Sequence, residues 1–122
     1  MGELNCKRVY DAPDNEDGFS ILVDRLWPRG IKKETAGIGL WAKDIAPSGE
    51  LRKWYGHNPE RFQEFRARYL KELTVNPDAI EFSSTVKAKL GDGSVALLYA
   101  ARDTERNNAV ILKDWLEKDF GA

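Results

Sequence analysis

Residues Ser94–Asn108 read SVALLYAARDTERNN, and the fold class turns on this stretch. It opens on an unbroken apolar run, Val95-Ala96-Leu97-Leu98-Tyr99-Ala100-Ala101, becomes charged at Arg102-Asp103, and carries adjacent asparagines at Asn107 and Asn108. A short apolar run without polar alternation is the pattern of a strand buried on both faces. The charged pair marks where the chain leaves the core. Thr104-Glu105-Arg106 then leads into an amphipathic stretch, so the unit reads strand, tight turn, helix. In open α/β sheets, ligands sit at the carboxyl ends of such strands. The pattern places a site without naming a reaction.

Phe19-Ser20-Ile21-Leu22-Val23 has the same character and also ends in charge, at Asp24-Arg25. It is expected to neighbour the strand at Val95–Ala101. Cys6–Tyr10 is a third candidate strand, after a loose Met1–Asn5, and the turn-rich 11–18 segment closes it. Pro28 removes a donor and biases Trp27 away from helix, so Leu26–Gly30 is a shaped loop. The basic, glycine-rich Ile31–Gly39 is expected to be mobile. Leu40–Ala46 favours a short strand, with a helical turn as the alternative.

Three start signals follow. Ser48 caps a helix whose apolar face is Leu51, Trp54 and Tyr55, and Gly56 ends it. Asn58-Pro59-Glu60 opens a second helix, with Phe62, Phe65, Tyr69, Leu70 and Leu73 at helical spacing. Asn76-Pro77-Asp78 opens a third, with Ala79, Phe82, Val86 and Leu90 on one face and Gly91-Asp92-Gly93 as the turn into the central strand. The last helix is expected from Glu105 to Asp119. The order β-β-β-α-α-α-β-α predicts one α/β domain over 1–122, a short sheet with a central buried strand flanked by helices.

The chain has 122 residues, of which 42% are hydrophobic and 32% charged, with a net charge of −1. At this length roughly two-thirds of the unfolded surface can be buried. The near-neutral balance gives no global attraction to nucleic acid or anionic membrane. The single cysteine, Cys6, excludes an internal disulfide and a thiol-based structural zinc site. Cys6 starts a strand and lacks the helix-entry context that lowers a thiol pKa. No Walker loop, GxGxxG or GxSxG is present. With no apolar leader and no run near twenty apolar residues, the chain reads as soluble and cytoplasmic.

If the two best strands are parallel, Asp24-Arg25 and Arg102-Asp103 open on one sheet edge, with Arg29 close behind. Asn108 lies four residues before Leu112 and shares its core-facing side, so its amide needs a partner or lines a pocket. The helix start there also favours an anion. The alternative is that these arginines pair with Asp24, Asp103 and other acids to hold loops. His57, the only histidine, lies on a loop and serves as acid or base only if the fold brings it to that edge. No metal or cofactor is called for. A second basic concentration, Arg52, Lys53, Arg61, Arg66, Arg68 and Lys71, is read either as a nucleic-acid contact or as a solvated face interleaved with Glu60, Glu64 and Glu72.

The segments KRVYD, ILVDRLWPRGIKKE, WAKDIAPSGELRKWYGHNPERFQEFRARY and LLYAARDTERNNAVILKDWL resemble the YeaO-like proteins, a small bacterial family of unknown function. The resemblance runs from about Lys7 to Leu116. It implies a compact α/β cytoplasmic domain and supplies no activity. Its signature positions fall on Asp24, Arg25, Trp27, Pro28, Arg29, Gly30, Arg52, Gly56, His57, Tyr99, Arg102, Asp103, Asn107 and Asn108.

The leading expectation is a pocket for an anionic small molecule, phosphate- or nucleotide-like. Arg25, Arg29, Arg102, Asn107, Asn108 and Tyr99 bind the ligand; Asp24, Asp103 and His57 handle any proton. The alternatives are a nucleic-acid-binding or regulatory module using the basic helices over 50–71, and a protein-interaction domain using Trp41 and Trp54.

Overall fold

The computed structural model describes residues 2–11, 18–34 and 36–121. Four strands form one sheet in the order β1-β4-β2-β3, every neighbour parallel. They are β1 (Leu4–Arg8), β2 (Phe19–Leu22), β3 (Leu40–Trp41) and β4 (Val95–Tyr99). β4 lies between β1 and β2, and all five of its residues are buried. The apolar run therefore is the central strand, but it ends at Tyr99; Ala100 and Ala101 are half-buried and already past the ladder. β1 begins earlier than the sequence indicates, because Leu4 and Asn5 pair with Val95 and Ala96. Leu4 and Asn5 are thus held in an edge strand of the sheet. The expected loop over 11–18 lies mostly outside the described residues.

The helices are α1 (Gly49–Tyr55), α2 (Phe62–Val75), α3 (Ala79–Asp92) and α4 (Asn108–Gly121). Their termini follow local chemistry. Ser48 Oγ accepts from Leu51 N–H at 3.2 Å, and Gly56 ends α1 in the left-handed region, φ 52°. Asn58 accepts from Glu60 N–H at 3.0 Å, and a short 3-10 turn over Pro59–Arg61 leads into α2. Asn76 accepts from Asp78 N–H at 2.8 Å ahead of α3. α3 takes in Gly91 and Asp92, so the turn into β4 is Gly93-Ser94 alone. α4 starts at Asn108, later than expected, because Asn107 accepts from Val110 N–H at 3.0 Å and caps it. Leu40–Ala46 contains both readings in turn: two residues of strand, then a 3-10 turn over Lys43–Ile45.

The two faces of the sheet are covered differently. Leu4, Ile21, Val23, Val95, Leu97 and Tyr99 pack against the buried residues of all four helices. Leu22, Ala96 and Leu98 point the other way, under Trp27, Ile38, Trp41 and Val9. The helices therefore lie on one face, and the chain between β2 and β3 covers the other. That segment is fastened: Trp27 and Trp41 meet edge-to-face at 5.3 Å, and their indole N–H groups donate to the Ile31 and Asp24 carbonyls at 2.7 and 2.8 Å. Lys33 Nζ lies 5.3 and 5.5 Å from the two ring centroids, a cation–π arrangement. Ala36 is buried and Ile38 packs on the sheet, so these described residues of the basic, glycine-rich stretch belong to its cover. No helix among the described residues is long and apolar enough to cross a membrane.

Gly18 enters β2 at φ 71°, and a Cβ there would lie 2.0 Å from the Ser94 carbonyl oxygen. That carbonyl accepts from Phe19 N–H and starts the β2–β4 ladder. Gly18→Ala should therefore destabilise by about 2 kcal/mol or more. Gly91, inside α3 with nothing near its Cβ position, should gain about 0.5–1 kcal/mol as alanine. Urea melts of the two variants check both signs.

Candidate functional site

Because all four strands are parallel, their carboxyl ends open together. A cavity of about 780 Å³ occupies that edge. Its wall takes Arg8 and Tyr10 from the end of β1, Asp24–Arg29 after β2, Ala100–Asp103 after β4, Arg106–Asn108 at the start of α4, and Arg52, Tyr55 and His57 from α1 and the turn beyond it. Six arginines converge there: Arg8, Arg25, Arg29, Arg52, Arg102 and Arg106. Apolar surface is interleaved, from Leu26, Trp27, Pro28 and Phe65.

The arginines divide into two sets. Arg8 Nε donates to the Ala101 carbonyl at 3.1 Å, and its guanidinium lies 5.0 Å from the Tyr10 ring centroid. Arg25 donates to the Pro47 and Ala46 carbonyls at 3.0 and 3.2 Å, holding the chain ahead of α1 against β2. Arg106 pairs with Asp103 at 3.4 Å. Arg29, Arg52 and Arg102 are exposed, and their guanidinium groups make no hydrogen bond or ion pair among the described residues. The rim of the cavity thus carries three cations without a hydrogen-bonded or ion-paired partner among the described residues, of which Arg52 acts electrostatically on Asp24.

Asp24 lies at the floor. Its Oδ2 accepts from Ala100 N–H at 2.9 Å, which joins the residue after β2 to the residue after β4. Burial pushes its carboxyl above the ordinary carboxylate range; the Ala100 N–H, the Asn108 amide, His57 and Arg52 pull the other way without cancelling it. Asn108 Nδ2 donates to the Val23 carbonyl at 3.0 Å, so the core-facing asparagine ties the start of α4 to the end of β2. His57 is the only non-glycine with positive φ among the described residues, 59°, a conformation that costs roughly 1–2 kcal/mol outside glycine. The turn that imposes it brings the imidazole to the cavity, within electrostatic reach of Asp24.

Several expected site residues have other employment. Tyr99 is buried in the helix-facing core and is absent from the cavity wall, because its position in β4 points it under α4. Asp103 accepts from the Glu105 and Arg106 N–H groups, both at 2.9 Å, and those bonds hold its carboxyl below the usual range. It builds the turn between β4 and α4 and is poorly suited to donate a proton. Asn107 is the buried cap of α4, its Nδ2 donating to the Asp103 carbonyl at 2.9 Å. Cys6 packs into the core, where burial pushes its thiol up to about 11. The sequence reading missed Arg8, Tyr10 and Arg106, and it gave Arg52 to the basic helices and not to the pocket. Arg8 was findable only with the strand order, which aligns it with Tyr99.

Of the second basic concentration, Arg52 lines the strand-end cavity, while Arg61, Arg66 and Arg68 are engaged on the helices. Arg61 and Arg68 lie 5.2 and 4.4 Å from the Trp54 ring centroid, Arg68 also pairs with Glu64, and Arg66 pairs with Asp114 at 3.1 Å. Among the described residues no group of three or more His, Cys, Asp or Glu is placed to hold a metal ion.

A family model described as the inactive DUF488-N3 subclade matches residues 3–122. The chain is similar to the uncharacterized protein Rv3073c of Mycobacterium tuberculosis, 43% identical over 113 residues that cover 93% of this chain and 92% of the relative. It is also similar to the uncharacterized protein YeaO of Escherichia coli, 42% identical over 113 residues that cover 93% and 96% of the two chains. No solved structure matches.

Two stability measurements separate the roles assigned above. Arg25→Ala leaves two part-buried carbonyls without their donor and should cost about 1–3 kcal/mol, whereas Arg102→Ala should stay within about 0.5 kcal/mol of the parent in the same urea melt. Asp24 has a folded pKa above its unfolded one, so its contribution to stability falls as pH rises through the acid range to that raised value and stays lowered beyond it. Asp24→Asn removes the penalty, and its amide oxygen can still accept the Ala100 N–H. The variant should therefore melt later than the parent near neutral pH, with the advantage shrinking toward zero as pH falls below the unfolded carboxylate range.

Proposed function

The chain belongs to the inactive DUF488-N3 subclade; we propose that its strand-end cavity binds an anionic small molecule, phosphate- or nucleotide-like, without turning it over. The observation that carries this reading is the set of cations without a bonded partner among the described residues, Arg29, Arg52 and Arg102, on one cavity of about 780 Å³ in a chain of net charge −1. A planar guanidinium held at a concave site is the usual partner of a phosphate or carboxylate, through paired charge-assisted hydrogen bonds. The volume falls within the span of small-molecule pockets, and the mixture of apolar wall and a few polar groups is their usual lining. The family description speaks against catalysis; of the three expected proton-handling residues, Asp103 is consumed by a turn, while Asp24 and His57 line the cavity. The nucleic-acid alternative has less support, since Arg61, Arg66 and Arg68 are engaged by Trp54, Asp114 and Glu64.

The test is a thermal or chemical melt with ADP and with inorganic pyrophosphate. A ligand at about 100 times its dissociation constant should stabilise the native state by roughly 2.7 kcal/mol. The combined Arg29→Ala and Arg102→Ala variant should keep its own melt and lose the ligand-induced shift. A parent melt that neither anion moves would remove the proposal.

A further inference from the structure

An anion site lined only by arginines would need no acid, yet the floor of this cavity is a carboxyl group. Asp24 sits where β2 and β4 end, held by the Ala100 N–H at 2.9 Å and flanked by the Asn108 amide. The Ala100 N–H and the Asn108 amide take two of the roughly four acceptor positions of the carboxylate, which leaves capacity toward the cavity it lines. Burial already disfavours its charge. A phosphate pressed against it would add like-charge repulsion, so a compact anion has no place on the floor. An ammonium group would suit Asp24 alone, but it would have to enter past a rim bearing Arg29, Arg52 and Arg102. The group that fits the floor is a neutral hydrogen-bond donor.

We infer that Asp24 is a specificity-determining residue that selects organic phosphates bearing hydroxyl groups, the phosphate resting on the rim arginines and a hydroxyl donating to the Asp24 carboxylate. The inference rests on the anion-binding reading proposed above and adds the ligand class: a phosphorylated polyol or sugar. The discrimination works through rejection as well as attraction. A ligand without a hydroxyl covers the remaining acceptor face of Asp24, displaces its water and returns no hydrogen bond. The arrangement also gives a use to a part-buried acid whose burial disfavours its own charge: its position trades stability for selection.

The experiment uses two probes with the same phosphate and ring size, glucose 6-phosphate and cyclohexylmethyl phosphate, titrated into the full chain by calorimetry and by amide NMR. The parent should bind glucose 6-phosphate at least tenfold more tightly, and the Ala100 amide resonance should move with glucose 6-phosphate and stay still with the hydroxyl-free probe. Asp24→Asn should bring the two affinities to within about threefold of one another, chiefly by weakening glucose 6-phosphate. Equal affinities in the parent overturn the role of Asp24 while leaving the anion site standing. Selectivity that survives in folded Asp24→Asn overturns it too. If neither phosphate binds the parent, the anion-binding reading fails and this inference goes with it. Should the variant not fold, the parent's affinity ratio and the Ala100 resonance decide the matter without it.

Discussion

β4 is hydrogen-bonded along both edges and buried on both faces. A strand in that position has no free backbone group along its length and no solvent-facing side chain; only its ends are available for anything besides packing. Both of its neighbours run parallel to it, so the carboxyl ends of β1, β2 and β4 reach the same edge. Arg8, Asp24 and Ala100 are brought together by that constraint alone. The Ala100 N–H, the first donor beyond the β4 ladder, finds its acceptor in Asp24, and this bond closes the floor of the cavity.

The unequal covering of the sheet gives the site its second wall. Four helices occupy one face, and the segment between β2 and β3 occupies the other. The same segment supplies Leu26, Trp27, Pro28 and Arg29 to the cavity. Its fastening through Trp27, Trp41 and the lysine over their rings therefore sets both the apolar cover of Leu22, Ala96 and Leu98 and the position of an exposed arginine at the rim. Loosening the tryptophan pair would disturb core and site together. A cover made of one loop is less redundant than a helical layer, because few side chains do the burying.

Charge on this protein is divided between work inside the fold and surface left open. Arg25 reaches back to two carbonyls, Arg106 closes a turn with Asp103, and Arg66 crosses to Asp114 on α4. Arg29, Arg52 and Arg102 have no comparable task. His57 and Asp24 are the costly members, one in a left-handed backbone conformation and the other a carboxyl withdrawn from water. Strain and desolvation of this kind gather at functional sites because packing alone gives no reason to keep them.

The order of strands and helices, the buried character of Val95–Tyr99 and the helix starts at Ser48, Asn58 and Asn76 follow from the sequence, because each depends on neighbours within a few residues: an apolar run, an oxygen aligned with the next amides, a proline in the first turn. The chain also marks the strand-end edge as polar. What local sequence does not contain is which of several chemically identical side chains meets a partner far along the chain. Arg25 and Arg102 both follow or precede an aspartate at a strand end, yet one donates to carbonyls at Ala46 and Pro47 and the other faces solvent. Tyr99 and Ala100 are adjacent, and the alternation of side chains along β4 sends the first into the core and leaves the second to open the cavity. Arg8 joins the site only because β1 pairs with β4 in a register that sets it beside Tyr99. Those assignments rest on strand order, register and the direction of each side chain, which exist only once the sheet has closed on its helices.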